Sequence, residues 1–152
     1  MKINLEERRQ KHQKTQKISL ILAIVFFVLT IASLLCFVLF SNYKIQLLMS
    51  IIGSVVTSLL LMAAIGFFIA GYLYNKYLVN FYTQLESKEE QSLKGHIKNL
   101  EKHMTLKKGL SFLVVYINNN EYYLADEEMI NSFDEEKDYS VSLRGNYVVG
   151  VE

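Results

Sequence analysis

The chain has 152 residues, a formal net charge of +1, 51% hydrophobic residues, one cysteine, no proline and no tryptophan. That length leaves room for one small folded unit beside any membrane segments but not for a large enzyme domain, and one cysteine excludes an intramolecular disulfide. The near-zero net charge conceals blocks of opposite sign: residues 1–17 carry six basic and two acidic side chains, residues 76–108 seven and four, and residues 109–152 two and nine.

Residues 1–17 read as a basic cytoplasmic N-terminal segment. It serves as an orientation signal or as a short helix on anionic headgroups, where each Lys or Arg adds ~1 kcal/mol of attraction. Ile18–Phe40 then runs without a charge, and Ile45–Asn75 does the same. A transmembrane helix needs ~20 mostly apolar residues to cross ~30 Å of hydrocarbon, so the pattern predicts one helix over 18–40 and a second over 46–71. A short outer turn over 41–45 joins them. Lys2, Arg8, Arg9, Lys11, Lys14 and Lys17 flank the first span and Lys76 follows the second, while Lys44 alone lies between them. Positive charge marks the cytoplasmic side, which predicts a multi-pass cell-membrane protein with both termini inside. The first span is too long for a signal-peptide core of ~7–15 residues and lacks a small-residue cleavage site. Cys36, within it, is expected to pack as a small hydrophobe. Tyr43, Tyr72, Tyr74 and Tyr77 stand where interfacial aromatics belong.

In the second span Ser50, Ser54 and Ser58 recur at four-residue spacing, continued by Gly66 and Ala70, while Ser50, Thr57, Ala64 and Gly71 recur at seven. Small side chains let helices approach closely, so these residues are expected to form one packing face toward the first span or a second copy. Neither span holds an ionisable side chain of the kind that proton-coupled transporters and voltage sensors keep at membrane depth.

Residues 72–108 read as a helical stalk. Leu78, Tyr82 and Leu85 form one apolar stripe, and Leu93, Ile97, Leu100 and Met104 a second, the expected stalk-packing residues. Glu90 and Lys94 would form a favourable i, i+4 pair, whereas Gly95 costs a helix ~1 kcal/mol relative to alanine. A coiled coil with another stalk is one outlet for such a marginal helix. His96 and His103 lack the i, i+4 spacing of a metal-binding helix face and read as solvated.

Residues 109–152 change period and predict a small acidic β domain, β–β–short helix–β–β. Leu110–Ile117 is apolar on both faces, a covered strand. Asn118-Asn119-Asn120 is a turn, because asparagine tolerates the left-handed conformation. Glu121–Ala125 returns as a strand, and Met129, Ile130 and Phe133 mark a helical turn plugging the core. Asp138–Arg144 alternates with Tyr139, Val141 and Leu143 inward, Gly145-Asn146 is a hairpin turn, and Tyr147, Val149 and Val151 mirror it. Such a unit is near the lower size limit for independent folding and leaves strand edges exposed, so it is expected to be completed by the stalk, a second copy or a partner.

The fold class is therefore an α+β membrane protein: a two-helix transmembrane hairpin, a helical cytoplasmic stalk and a C-terminal β-rich domain. The order of elements resembles small bacterial proteins in which a helical membrane hairpin precedes a cytosolic β-barrel-like module. The runs Asp126–Glu128 and Asp134–Asp138 lack the spacing of a calcium loop, and residues 109–152 hold no His or Cys, so no catalytic residue, metal site or cofactor is expected. The acidic balance argues against nucleic acid, which needs basic patches. The function expected is a non-enzymatic membrane-anchored interaction or regulatory protein, with the bilayer, further copies of itself or an unidentified membrane or cytosolic protein as partners. The alternatives are a holin-like, hole-forming oligomer, and a membrane-tethered sensor whose pocket is lined by Tyr116, Tyr122, Tyr123, Tyr139 and Tyr147.

Overall fold

A computed structural model describes residues 2–40, 46–99, 104–107, 110–133 and 137–151. The expected outer turn over 41–45, together with Leu100, His103 and residues 134–136, lies outside the described residues. The chain forms two compact units, one from Lys11 to Lys76 and the other from Met1–Gln10 together with Tyr77–Glu152.

The first unit holds most of α1 (Leu5–Phe40), all of α2 (Gln46–Gly66), a π-helical segment over Phe67–Leu73, and the start of α3 (Tyr74–Glu86). Two helices, Leu5–Leu39 and Ser50–Glu86, are long and apolar enough to cross a membrane, and only 11% and 6% of their most apolar stretches are buried within the chain. The core helix of a water-soluble protein would hide such surface. Here Leu39, Val38 and Met62 stand at least 70% exposed.

The second unit is a β barrel. Its strands are β1 (Glu90–Asn99), β2 (Met104–Lys107), β3 (Leu110–Ile117), β4 (Asn120–Leu124), β5 (Asp138–Arg144) and β6 (Tyr147–Val151), with a 3₁₀ helix over Glu127–Ser132. The strands are ordered β1-β5-β6-β4-β3-β2, and β1 also pairs with β3, which closes the ring. β1, β3 and β4 follow one another antiparallel, and β5 returns to lie beside β1. That is the Greek-key order. β6 closes the gap, antiparallel to β5 and parallel to β4, giving a five-stranded Greek-key barrel to which β2 adds as an antiparallel partner of the start of β3.

The turns form as their residues dictate. Asn118 (φ 51°) and Asn119 (φ 65°) occupy the left-handed region between β3 and β4, and Gly145 (φ 64°) does so between β5 and β6. Met129 on the 3₁₀ helix is fully buried, and the Asp126 side chain caps that helix by accepting from Glu128 N. Leu113, Val115 and Ile117 of β3 join the main core, and Leu110, Phe112 and Val114, which alternate with them, form a second cluster with Tyr123. The strand is covered on both faces, as its unbroken apolar run implies.

The helical stalk over 72–108 is corrected. α3 ends at Glu86, and Glu90–Asn99 is a strand. Leu93, Gly95 and Ile97 share one side of β1, because offsets of two and four put residues on one strand face. Ile97 is fully buried in the main core and Leu93 packs against it. Met104 belongs to β2, opposite Leu113. Glu90 and Lys94 make no helical pair; Glu90 instead meets Lys2 and Arg144.

β1 turns a corner at Gly95. Glu90–His96 pairs with β5, and from Ile97 the strand pairs with β3. A Cβ at Gly95 would collide with Ile117 Cγ2 and lie 2.7 Å from Asn118 Nδ2, so the backbones approach where glycine permits it. The Asn118 side chain repairs the interrupted ladder, accepting from His96 N (3.0 Å) and donating to Lys94 O (3.2 Å).

The chain itself completes the barrel, where a second copy or a partner strand was an open expectation. Ile3 N donates to Val149 O (2.9 Å) and Lys2 bridges Gly150, so the N-terminus adds to the edge of β6. Ile3 and Leu5 enter the main core beside Tyr82 and Leu85 of α3. Residues 2–5 are thus barrel structure rather than a free orientation signal.

Candidate functional site

Three features of the described residues could carry function. The first is the seam between α1 and α2. On α1, Ser19, Ala23, Phe26, Thr30, Ser33 and Phe37 are buried or half-buried, with most of the residues between them exposed. Their alternating spacing of four and three is that of a left-handed helix pair. Facing them, Ser33 and Thr57 hydroxyls share a hydrogen bond (3.1 Å), Phe26 stacks on Phe67 (5.5 Å), and a Cβ at Gly53 would lie 2.7 Å from Phe37. A Cβ at Gly71 would collide with the Ser19 side chain. His12 Nδ1 donates to Asn75 Oδ1 (2.8 Å), and the buried Asn75 donates to Gly71 O (2.6 Å).

The small residues of the second span therefore serve two faces, not one. Thr57, Ala64 and Gly71 are half-buried or buried, whereas Ser50, Ser54, Ser58, Gly66 and Ala70 are exposed. Nothing lies within 4 Å of a Cβ built on Gly66. Cys36 is exposed, not packed. The α1 half of the seam was missed, although its signal was present as hydroxyl and small residues at heptad spacing in a leucine-rich span. Gly71→Leu is expected to separate α1 from α2, seen as loss of disulfide formation between cysteines placed at Ser33 and Thr57. Gly66→Leu should leave that crosslink intact.

The second feature is an electrostatic clamp within the barrel unit. Arg8 Nη2 meets Asp126 (2.6 Å) and Glu128 (2.7 Å), Arg9 meets Glu86 (3.2 Å), and Lys2 meets Glu90 (2.5 Å). Burial works against the Arg8 charge, but the Glu128 hydrogen bond and the nearby acidic groups outweigh it and hold its pKa above the ordinary value. The Lys2 hydrogen bond holds the Glu90 carboxyl below its ordinary value against a weaker opposing effect of burial, with help from Ser142 and Arg144. Arg144 also donates to the carbonyls of Leu85 (3.3 Å) and Glu86 (2.8 Å). It satisfies the last turn of α3 and sets a cation at the negative end of its dipole. Three of the six basic residues before Ile18 are thus paired within the barrel unit, Arg8 with the acidic end of the chain and Lys2 and Arg9 with Glu90 and Glu86.

The third feature is a cavity of about 280 Å³ between α3 and the second cluster, lined by Tyr77, Asn80, Phe81, Gln84, Leu85 and Lys88 and, from the strands, by Leu110, Phe112 and Tyr147. Phe81, Phe112 and Tyr147 lie 5.0–5.2 Å apart, centroid to centroid, and Lys88 Nζ stands 5.8 Å from the centre of Tyr147. Of the five tyrosines expected to line a pocket, Tyr147 lines this one. Tyr123 belongs to the second cluster, Tyr116 packs against it, and Tyr122 and Tyr139 pack on the main core. His96 lies on β1, exposed, with Nδ1 2.9 Å from Asp138. Among the described residues no three His, Cys, Asp or Glu side chains converge as metal ligands would.

No protein-family model, curated protein or solved structure matches the chain.

Proposed function

We propose that the protein is a non-enzymatic, membrane-anchored interaction or regulatory protein with a cytoplasmic barrel. One observation carries this reading: Leu5–Gln10 of α1 and Tyr77–Glu86 of α3 both belong to the barrel unit. Each apolar helix is therefore covalently continuous with a segment packed into the barrel, and a partner or ligand that shifts the barrel acts on both helices. Two crossings would put both ends on one side, in keeping with their shared unit. Lys11, Lys14, Lys17 and Lys76 remain beside the apolar stretches to favour the cytoplasm.

The exposed Ser50, Ser54, Ser58, Gly66 and Ala70 face suits close approach of a second copy. The test is crosslinking of the native-level protein in intact membranes, followed by mass determination in mild detergent. A discrete homo-oligomer, or a stoichiometric complex with another protein, is expected, and a homo-oligomer should be lost with Gly66→Leu and Ala70→Leu. A monomer alone would sink the interaction reading, and an oligomer that collapses the membrane potential would move the assignment to a hole-former. A second reading, ligand sensing, is favoured by the aromatic cavity, which Lys88 lines with a cation.

A further inference from the structure

We infer that the cavity between α3 and the barrel binds a small aromatic anion, one or two rings carrying a carboxylate or phosphate. The inference deepens the ligand-sensing reading and rests on it. At about 280 Å³ the cavity lies just below the ~300–1,000 Å³ of ordinary ligand pockets, which limits an occupant to a small molecule. Phe81, Phe112 and Tyr147 form an aromatic corner with neighbouring rings at tilted or edge-on angles. A flat ring can extend that cluster in the same geometry. Asn80 and Gln84, one helical turn apart on α3, present amide donors and acceptors to a ligand's polar edge.

The charge of the lining selects the anion. Residues 109–152 carry nine acidic and two basic side chains, yet among the described residues the cavity is lined by no carboxylate and by one cation, Lys88. Its side chain lies across the β5–β6 turn, where a Cβ on Gly145 would come within 3.0 Å of Nζ. From there the ammonium reaches over the face of Tyr147. No carboxylate among the described residues pairs with Lys88, so its contact there is the ring face. A ligand carboxylate or phosphate offers a stronger, charge-assisted hydrogen bond without displacing an ion pair.

The experiment is calorimetric titration of the full chain in nanodiscs of zwitterionic lipid. The probes are indole-3-acetate, 4-hydroxybenzoate and adenosine monophosphate, each beside its uncharged counterpart, indole, phenol and adenosine. At least one anion should bind about tenfold more tightly than its counterpart, the scale expected of one charge-assisted contact. Lys88→Gln, at an exposed position, should abolish that margin without shifting the melting temperature, and Asn80→Ala should weaken anion and counterpart alike. Equal binding of the uncharged probes would overturn the anion assignment and leave ligand sensing standing. Failure of all six probes at millimolar concentration would overturn both. A margin unchanged in Lys88→Gln would place the anion elsewhere and overturn the inference.

Discussion

Replacing Gly95 with alanine is expected to destabilise the barrel by about 1–3 kcal/mol, the range for forcing an extra carbon into a packed site. In a stalk helix the same change would stabilise by ~1 kcal/mol, so the sign separates the two structures. The added methyl group meets Ile117 Cγ2 on a fully buried side chain, and Asn118 Nδ2, already committed to Lys94 O. Neither neighbour yields cheaply. Ile117 has core on its far side, and moving Asn118 breaks the hydrogen bonds that carry β1 around its corner. Amide exchange across 110–124 in the detergent-solubilised chain is the readout, with each ~1.4 kcal/mol appearing as a tenfold faster rate. Slower exchange in the alanine variant would return residues 90–99 to a helix.

Removing the apolar contacts of the N-terminus should have the larger effect. Ile3 and Leu5 are each 8% exposed within the main core, and truncating a buried Ile or Leu to alanine costs ~2–5 kcal/mol. The double variant Ile3→Ala with Leu5→Ala should therefore lose at least about 4 kcal/mol. Small domains hold only ~5–15 kcal/mol in total, so much of the barrel should become susceptible to protease at ambient temperature. Lys2→Ala is the control: its side chain is 62% exposed where it meets Glu90, and such pairs are worth ~0–1 kcal/mol. A double variant as protease-resistant as the parent would make residues 1–17 an orientation signal alone.

These two positions also mark where sequence reasoning stopped. Leu93 and Ile97 are four apart, an interval that helices and strands share, since it is a little over one helical turn and also two strand repeats. The run Leu93-Lys94-Gly95-His96-Ile97 alternates as well as any strand, and the glycine, charged to a helix as a cost, was the sign of a barrel corner. What decided between the periods was the demand of β5 and β3 for a partner, in pairs from Asn99–Tyr116 to Glu90–Arg144 that no local window contains. The first residues were misread for a related reason. Ile3 and Leu5 are two apolar side chains in a basic stretch, and only the open edge of β6, nearly 150 residues later, gives them a role.

The sequence alone determined the elements whose causes are local. Two uncharged runs of ample length make the long apolar helices. Left-handed asparagines and Gly145 make the hairpin turns, strict alternation makes β5 and β6, and Asp126 before an apolar triplet makes the 3₁₀ plug. The tertiary structure decided every assignment that depends on a distant surface. It divided the small residues of the second span between the α1 seam and an exposed face, turned half of the expected stalk into barrel wall, and sealed the barrel with the N-terminus. The physical reason is that turn chemistry and hydrophobic period act through neighbours in sequence, whereas burial is settled by whichever surface arrives to cover a face.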